Sequence, residues 1–442
     1  MGKARLPEIE KGDQGIVEIW MKSREENTTY LMRRDKSMEN VSPSMPGGSY
    51  LALVLLTGLL WGMSMIPGPV FAQSPGISAS EIVLGQSCAL KGPTRALGIG
   101  MRDGALAYFK YLNSRGGIRG KKIRLISYDD GYEPKKCLAN TKKLINQDKV
   151  FLLFGYVGTP TSQVAAPIAA EKKVPYFGPF TGAEFLRNPV NNWILNLRAS
   201  YYQETEAMVA HLITGKGFKR ISVFYQNDAY GKAGLDGVRR ALARRMMWAL
   251  NEAHYPRNTV EVQPAVKAML MTKPQAIIMI GAYEPCARFI KLMRKAGSDA
   301  LFLNVSFVGA DTMGRILGNE GIGAVVTQVV PYPYDKRVPV VAEFHRTVRG
   351  HSPQVEPSMV SVEGFIVAKA LSKILLETPD PITREGFIET AEKQSNADLG
   401  GFTFSFSPEN HQGSNLVYLT QIGPGGFVMP INDLNDLYEY VK

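Results

Sequence analysis

The chemically most capable side chains of this chain gather in four short segments rich in Gly, hydroxyls and Tyr. They are Gly155-Tyr156-Val157-Gly158-Thr159-Pro160-Thr161-Ser162, Gly178-Pro179-Phe180-Thr181, Gln226-Asn227-Asp228-Ala229-Tyr230-Gly231 and Gly281-Ala282-Tyr283. Open backbone amides, small hydroxyls and aromatic faces suit the non-covalent holding of a small ligand with a polar head. Motifs for bond making are missing: there is no Gly-x-Ser-x-Gly elbow and no Gly-x-x-x-x-Gly-Lys-Ser/Thr loop, and Gly98-Ile99-Gly100 is followed by Gly104, one residue late for a dinucleotide fingerprint. The five histidines (His211, His254, His345, His351, His411) are scattered, with no i, i+4 pair and no Cys-x-x-Cys, so neither a metal nor a cofactor is expected. Cys137 and Cys286 fall in helical patterns among apolar neighbours and read as buried thiols. A Cys88–Cys137 bridge stays open in an oxidising compartment.

These segments must be positioned by alternating strands and helices. Strands are expected at Ile82–Leu90, Lys122–Asp129, 150–155 (VFLLFG), 174–178, 221–226 and 275–281 (QAIIMIG), with helices near 99–113, 134–148, 162–172, 203–215, 233–246 and 286–296. Continuous apolar runs between helices mark strands buried on both faces, hence parallel sheets. The unit at Ile82 resembles the one at Ile221, and QAIIMIG with its helix echoes VFLLFG with its own, which predicts two similar α/β lobes of doubly wound, Rossmann-like type. In such sheets ligands sit at the carboxyl ends of the strands, where the four segments fall.

Hydrophobic residues make up 45% and charged residues 21% of 442, a globular composition that excludes wholesale disorder and a multi-span membrane protein. Leu51–Ile66 is an uncharged apolar run, followed by Pro67, Pro69 and Val70-Phe71-Ala72, the layout of a secretory signal cut after Ala72. A membrane anchor is the alternative. The residues ahead of that run exceed a usual charged n-region, and Met32-Arg33-Arg34-Asp35-Lys36 offers a more fitting start. The Arg33-Arg34 pair lacks the apolar residues that follow a twin-arginine signal. Residues 1–72 thus read as leader, with basic and acidic side chains in balance, so the net charge of +11 belongs to the rest. Basic clusters such as Arg239-Arg240 and Arg244-Arg245 read as solvated faces, with a docking surface as the sharper alternative. No interleaved aromatic platform points to nucleic acid.

Taken in order, Phe154–Ser162, Tyr225–Gly231 and Gly281–Tyr283, with the opening Ile82-Val83-Leu84-Gly85-Gln86, Gly92-Pro93, Gly116-Gly117-Ile118-Arg119-Gly120-Lys121 and Glu363-Gly364, resemble the type I periplasmic binding proteins. The similarity is to the leucine/isoleucine/valine-binding receptors of ABC transporters, from about Ser80 to about Met429. The resemblance implies lobe 1 from 80–200 and 331–408, lobe 2 from 201–330 and 409–442, and hinge closure on a ligand. It implies no catalysis, a periplasmic location, an ABC permease as partner and a monomer. Thr159, Thr161 and Thr181, with Phe180, match the carboxylate side of the ligand site; Tyr230 and Tyr283 match lid aromatics. Tyr156 and Phe307 suggest a larger apolar or aromatic wall. Where amino-acid-binding members carry a glutamate for the ammonium, this chain reads Asn304-Val305-Ser306-Phe307-Val308-Gly309, so Asp311 or Glu284 substitutes or the ligand lacks an ammonium. Leu97 replaces the expected first-lobe aromatic. The ligand class is then a branched-chain amino acid or another small carboxylate. A sensor that passes occupancy to a membrane signalling partner is the second reading, and an enzyme on a doubly wound fold the third.

Overall fold

The computed structural model describes residues 74–438. The leader reading, with its apolar run and its cut after Ala72, lies outside the described residues.

The first half of the described chain builds one parallel sheet from β1 (Glu81–Cys88), β2 (Lys122–Asp129), β3 (Leu152–Phe154), β4 (Tyr176–Phe177) and β5 (Ile194–Leu195). These strands lie in the order β2-β1-β3-β4-β5. The intervening helices are α1 (Arg95–Ser114), α2 (Pro134–Asn146) and α3 (Thr159–Glu171). After α4 (Tyr201–Ala210) the scheme repeats through β6 (Ile221–Gln226), α5 (Ala229–Ala243), β7 (Glu252–Tyr255), α6 (Gln263–Thr272), β8 (Ala276–Ile280), α7 (Tyr283–Lys295), β9 (Leu301–Asn304), α8 (Ala310–Leu317) and β10 (Val325–Gln328). The order β7-β6-β8-β9-β10 reproduces that of the first sheet strand for strand. The repeat read in the sequence is therefore a repeat of topology. All five residues of β8 are buried, as helices on both faces of a parallel sheet require.

Register brings the working ends level. Cys88 lies beside Asp129 and Gln226 beside Tyr255, so the loops that leave neighbouring strands emerge together. The chain then returns to the first sheet with α9 (Pro339–His351), α10 (Met359–Glu377) and α11 (Arg384–Glu392), and α10 lies along α1. Their backbones touch through glycine: a Cβ on Gly104 would stand 1.9 Å from the Ser361 carbonyl oxygen, and one on Gly364 2.2 Å from that of Met101. After a small hairpin of β11 (Ala397–Asp398) and β12 (Thr403–Phe404), β13 (Tyr418–Ile422) and β14 (Val428–Ile431) extend the second sheet antiparallel beyond β10.

Most boundaries fall within a few residues of expectation, with physical reasons for the exceptions. The helix expected from Ala233 starts at Ala229, because the Asp228 carboxylate accepts the amides of Tyr230 and Gly231 and caps it. The helix expected through Gly215 changes at His211 to a π turn that runs to Gly215. Cys88, Cys137 and Cys286 are free and buried, so the Cys88–Cys137 bridge is not made; Cys88 Sγ lies 3.7 Å from Gly98 O, and Cys137 Sγ lies 3.6 Å from Thr161 O.

Candidate functional site

Strand ends from both sheets converge on a layer of aromatic rings. Phe307, in the single turn after β9, meets Phe180 after β4 at 5.5 Å, Tyr132 after β2 at 5.9 Å and Tyr230 at the start of α5 at 4.6 Å. Tyr230 meets Tyr201, at the start of α4, at 5.5 Å. All five rings are buried. Local chemistry puts them there. Gly158 has φ of 107° and a Cβ on it would stand 2.3 Å from the Tyr132 ring, so only glycine lets that ring cover the start of α3. The Asp228 cap turns Tyr230 inward, where its hydroxyl donates to Gly281 O at 3.3 Å.

The hydroxyls beside this layer are shared. Thr159 and Thr181 lie 2.7 Å apart, both fully buried, and Thr181 reaches the Tyr201 hydroxyl at 3.3 Å. Arg187 fixes these loops from behind, donating to Thr181 O at 3.3 Å, Arg198 O at 3.1 Å and Ala183 O at 2.9 Å.

At the same layer sits a buried ionic trio. The Arg198 guanidinium lies 4.7 Å from the centre of the Phe180 ring, donates to the Ser306 hydroxyl, and pairs with Glu204 at 3.6 Å and Glu363 at 3.5 Å. Its Nε and Nη1 have no hydrogen-bond partner among the described residues. Glu204 accepts from Ser306 N (2.7 Å), Ser306 Oγ (3.0 Å) and Thr327 Oγ1 (2.6 Å). Burial raises its pKa above the ordinary value in spite of Arg198 and these donors. Glu363 is pushed by burial to about 7, with Arg198 pulling the other way. The trio joins α4, α10 and the turn after β9, elements attached to different sheets.

Of the residues singled out in the sequence, Thr159, Phe180, Thr181, Tyr230 and Phe307 come together. Tyr283 stands at a neighbouring edge, its hydroxyl accepting from Ala96 N at 3.4 Å, where Leu97 packs against Gly309. Two do not join. Tyr156 points into a separate core on the other face of the first sheet, 5.0 Å from Tyr176 and bonded to Thr141 at 3.2 Å. The Thr161 hydroxyl turns back to Val157 O (2.6 Å) and Gly158 O (2.9 Å) and caps its own turn. Asp311 accepts from Met359 N at 3.0 Å, away from the rings; the acids that pair with Arg198 at the rings are Glu204 and Glu363. Sequence reasoning missed Tyr132, Arg198, Tyr201 and Glu204. All follow strand ends, those of β2 and β5, and an arginine and a glutamate on either side of Ser200-Tyr201-Tyr202, Arg198 and Glu204, were the available signal.

At the rim, Arg257 and Asn258 after β7 meet Glu133 after β2, at 2.8 and 2.6 Å, and so bridge the two halves. Among the described residues no cluster of His, Cys, Asp or Glu could hold a metal ion.

Two parallel sheets of matching order, with the chain passing between them after β5, β10 and β12, form the architecture of a type I periplasmic binding protein. A family model described as periplasmic binding protein matches residues 81–426, and the chain belongs to that family, in its leucine/isoleucine/valine-binding branch. A possible leucine/isoleucine/valine-binding protein from Rhodopirellula baltica SH 1 is 38% identical, with TM-score 0.78, over 82% of this chain and 98% of that one. The leucine-specific-binding protein of Salmonella typhimurium is 22% identical over 78% of this chain and 95% of its own length. A branched-chain amino acid ABC transporter protein from Thermus thermophilus with bound valine is 16% identical, over 81% of this chain and 97% of that one, and with TM-score 0.73 shares the fold. These relatives are solute-binding proteins and not enzymes.

Proposed function

We propose that the protein is the extracytoplasmic receptor of an ABC importer for a branched-chain amino acid or a related small carboxylate. It works in the periplasm after removal of its leader and delivers ligand to the permease subunits as a monomer. Its lobes are 80–200 with 331–408 and 201–330 with 409–442, and they close on ligand by a hinge. The observation that carries this reading is the Phe180–Phe307–Tyr230 contact, in which strand ends of both sheets share one buried aromatic layer next to Thr159 and Thr181. Such a layer, held between two bodies, supplies apolar area on closure. The threonine hydroxyls and the first-turn amides of α3 face a carboxylate. Tyr283 closes over the edge.

Calorimetry against leucine, isoleucine, valine and benzoate-type acids tests this. Saturable binding of one class is expected, lost with Thr159→Ala/Thr181→Ala. Absence of binding across the panel, or release of a chemically altered product, overturns it.

A further inference from the structure

The end of the second sheet opposite the aromatic layer carries a surface that ligand binding does not use. Because β6 to β9 run parallel, the segments that precede them (216–220, 244–251, 273–275 and 296–300) share the amino edge of the sheet. Large apolar side chains protrude there: Met246 is 85% exposed, Trp248 80% and, at the end of α6, Met271 77%. Shallow grooves that meet at Phe218 run between them. Around them Lys216, Lys219, Lys267 and Lys273 make no ion pair among the described residues, while of the acids near them Glu206 is taken up by Arg244 and Arg245, and Asp299, which lines the groove with Lys273, is outnumbered by the lysines. The patch is thus apolar at its tips and basic between them.

We propose that this edge docks on the anionic surface of a phospholipid membrane. Lysine is depleted from the cores of protein interfaces, whereas anionic headgroups attract it, and Trp is enriched at the depth where headgroups meet acyl chains. Protruding tips from separate loops, rather than one flat apolar face, fit a fluid layer that closes around each of them. Docking by this edge leaves the opposite strand ends, with Tyr230, Tyr283 and Phe307, free to open and close.

The test is co-sedimentation of the full chain with phosphatidylglycerol/phosphatidylcholine vesicles and with phosphatidylcholine alone. The readout is the excess of anionic over neutral binding, since residues 1–73 are common to every variant. That excess is expected to fall at least about tenfold in Met246→Ser/Trp248→Ser/Met271→Ser and in Lys216→Glu/Lys219→Glu/Lys273→Glu, and to fall in 0.5 M salt for the wild type. Thermal unfolding and ligand affinity stay as in the wild type. No excess in the wild type, or an undiminished excess in both variants, overturns the proposal. So does self-association of the vesicle-free wild type that the apolar variant abolishes, which assigns the patch to a second copy of the chain.

Discussion

At Arg198 two buried carboxylates share one cation, and they are not equivalent. Glu204 has three hydrogen-bond donors besides the guanidinium, whereas among the described residues Glu363 has only the ion pair. Burial therefore moves the Glu363 carboxyl from 4.5 to about 7. The native state then binds more protons than the unfolded chain between those values. This group's contribution is full below the ordinary carboxyl range and is lost as pH rises through about 7. Glu363→Gln removes that dependence, so its stability relative to the wild type is expected to rise by on the order of 2–3 kcal/mol from pH 4.5 to pH 8. Denaturant titrations at both pH values measure it, and a constant difference would mean that Glu363 stays ionised throughout. Thr159→Ala leaves Thr181 with Tyr201 but takes a hydroxyl from the ligand side, and a loss of about 1–3 kcal/mol in ligand affinity with an unchanged melting temperature is expected by calorimetry. Chemistry-bearing residues were legible in the sequence where glycine and hydroxyls cluster. The ionic trio was not, because each member is an isolated charge in a different element and only the folded chain brings them together.

The longer elements were legible, and so was the two-residue β4, whose Val174-Pro175-Tyr176-Phe177-Gly178 run ends on a glycine. β6, with its apolar run, was read at its full extent, whereas β5 has two residues, Ile194 and Leu195, too few for any periodicity. Missing β5 hid the strand end that carries Arg198 and Tyr201. The contact of α1 with α10 was equally hidden, because Gly104 and Gly364 reveal their purpose only as a pair. A methyl group at residue 104 drives into the Ser361 carbonyl, so Gly104→Ala must part the helices, at a cost of about 1–3 kcal/mol or more. Chemical unfolding reads this loss directly, and a midpoint equal to that of the wild type would show that the helices slide apart freely.

On the scale of the molecule, the rim contact of Glu133 with Arg257 and Asn258 bridges the two halves, and under the proposed hinge it favours the closed arrangement. It is partly exposed and correspondingly weak. Glu133→Gln is expected to weaken ligand binding by about 0.5–1 kcal/mol, less at high salt, and to enlarge the ligand-free particle in X-ray scattering. Identical scattering and affinity would leave the contact without a role in closure. The repeat of two α/β halves was legible because both follow one topology. The chain's return to the first sheet through α9 to α11 was expected only from the family resemblance, which put 331–408 with lobe 1, since nothing local in those helices tells which sheet they cover. That return has a consequence for biogenesis. The flank of α1 with Gly100, Gly104 and Tyr108 waits for α10, which emerges from the ribosome roughly 260 residues later. Until then the early part of the nascent polypeptide has no cover for that flank and cannot complete its tertiary structure. For the export to the periplasm proposed above, a translocation channel thus has a long interval in which to thread a chain that is still unfolded.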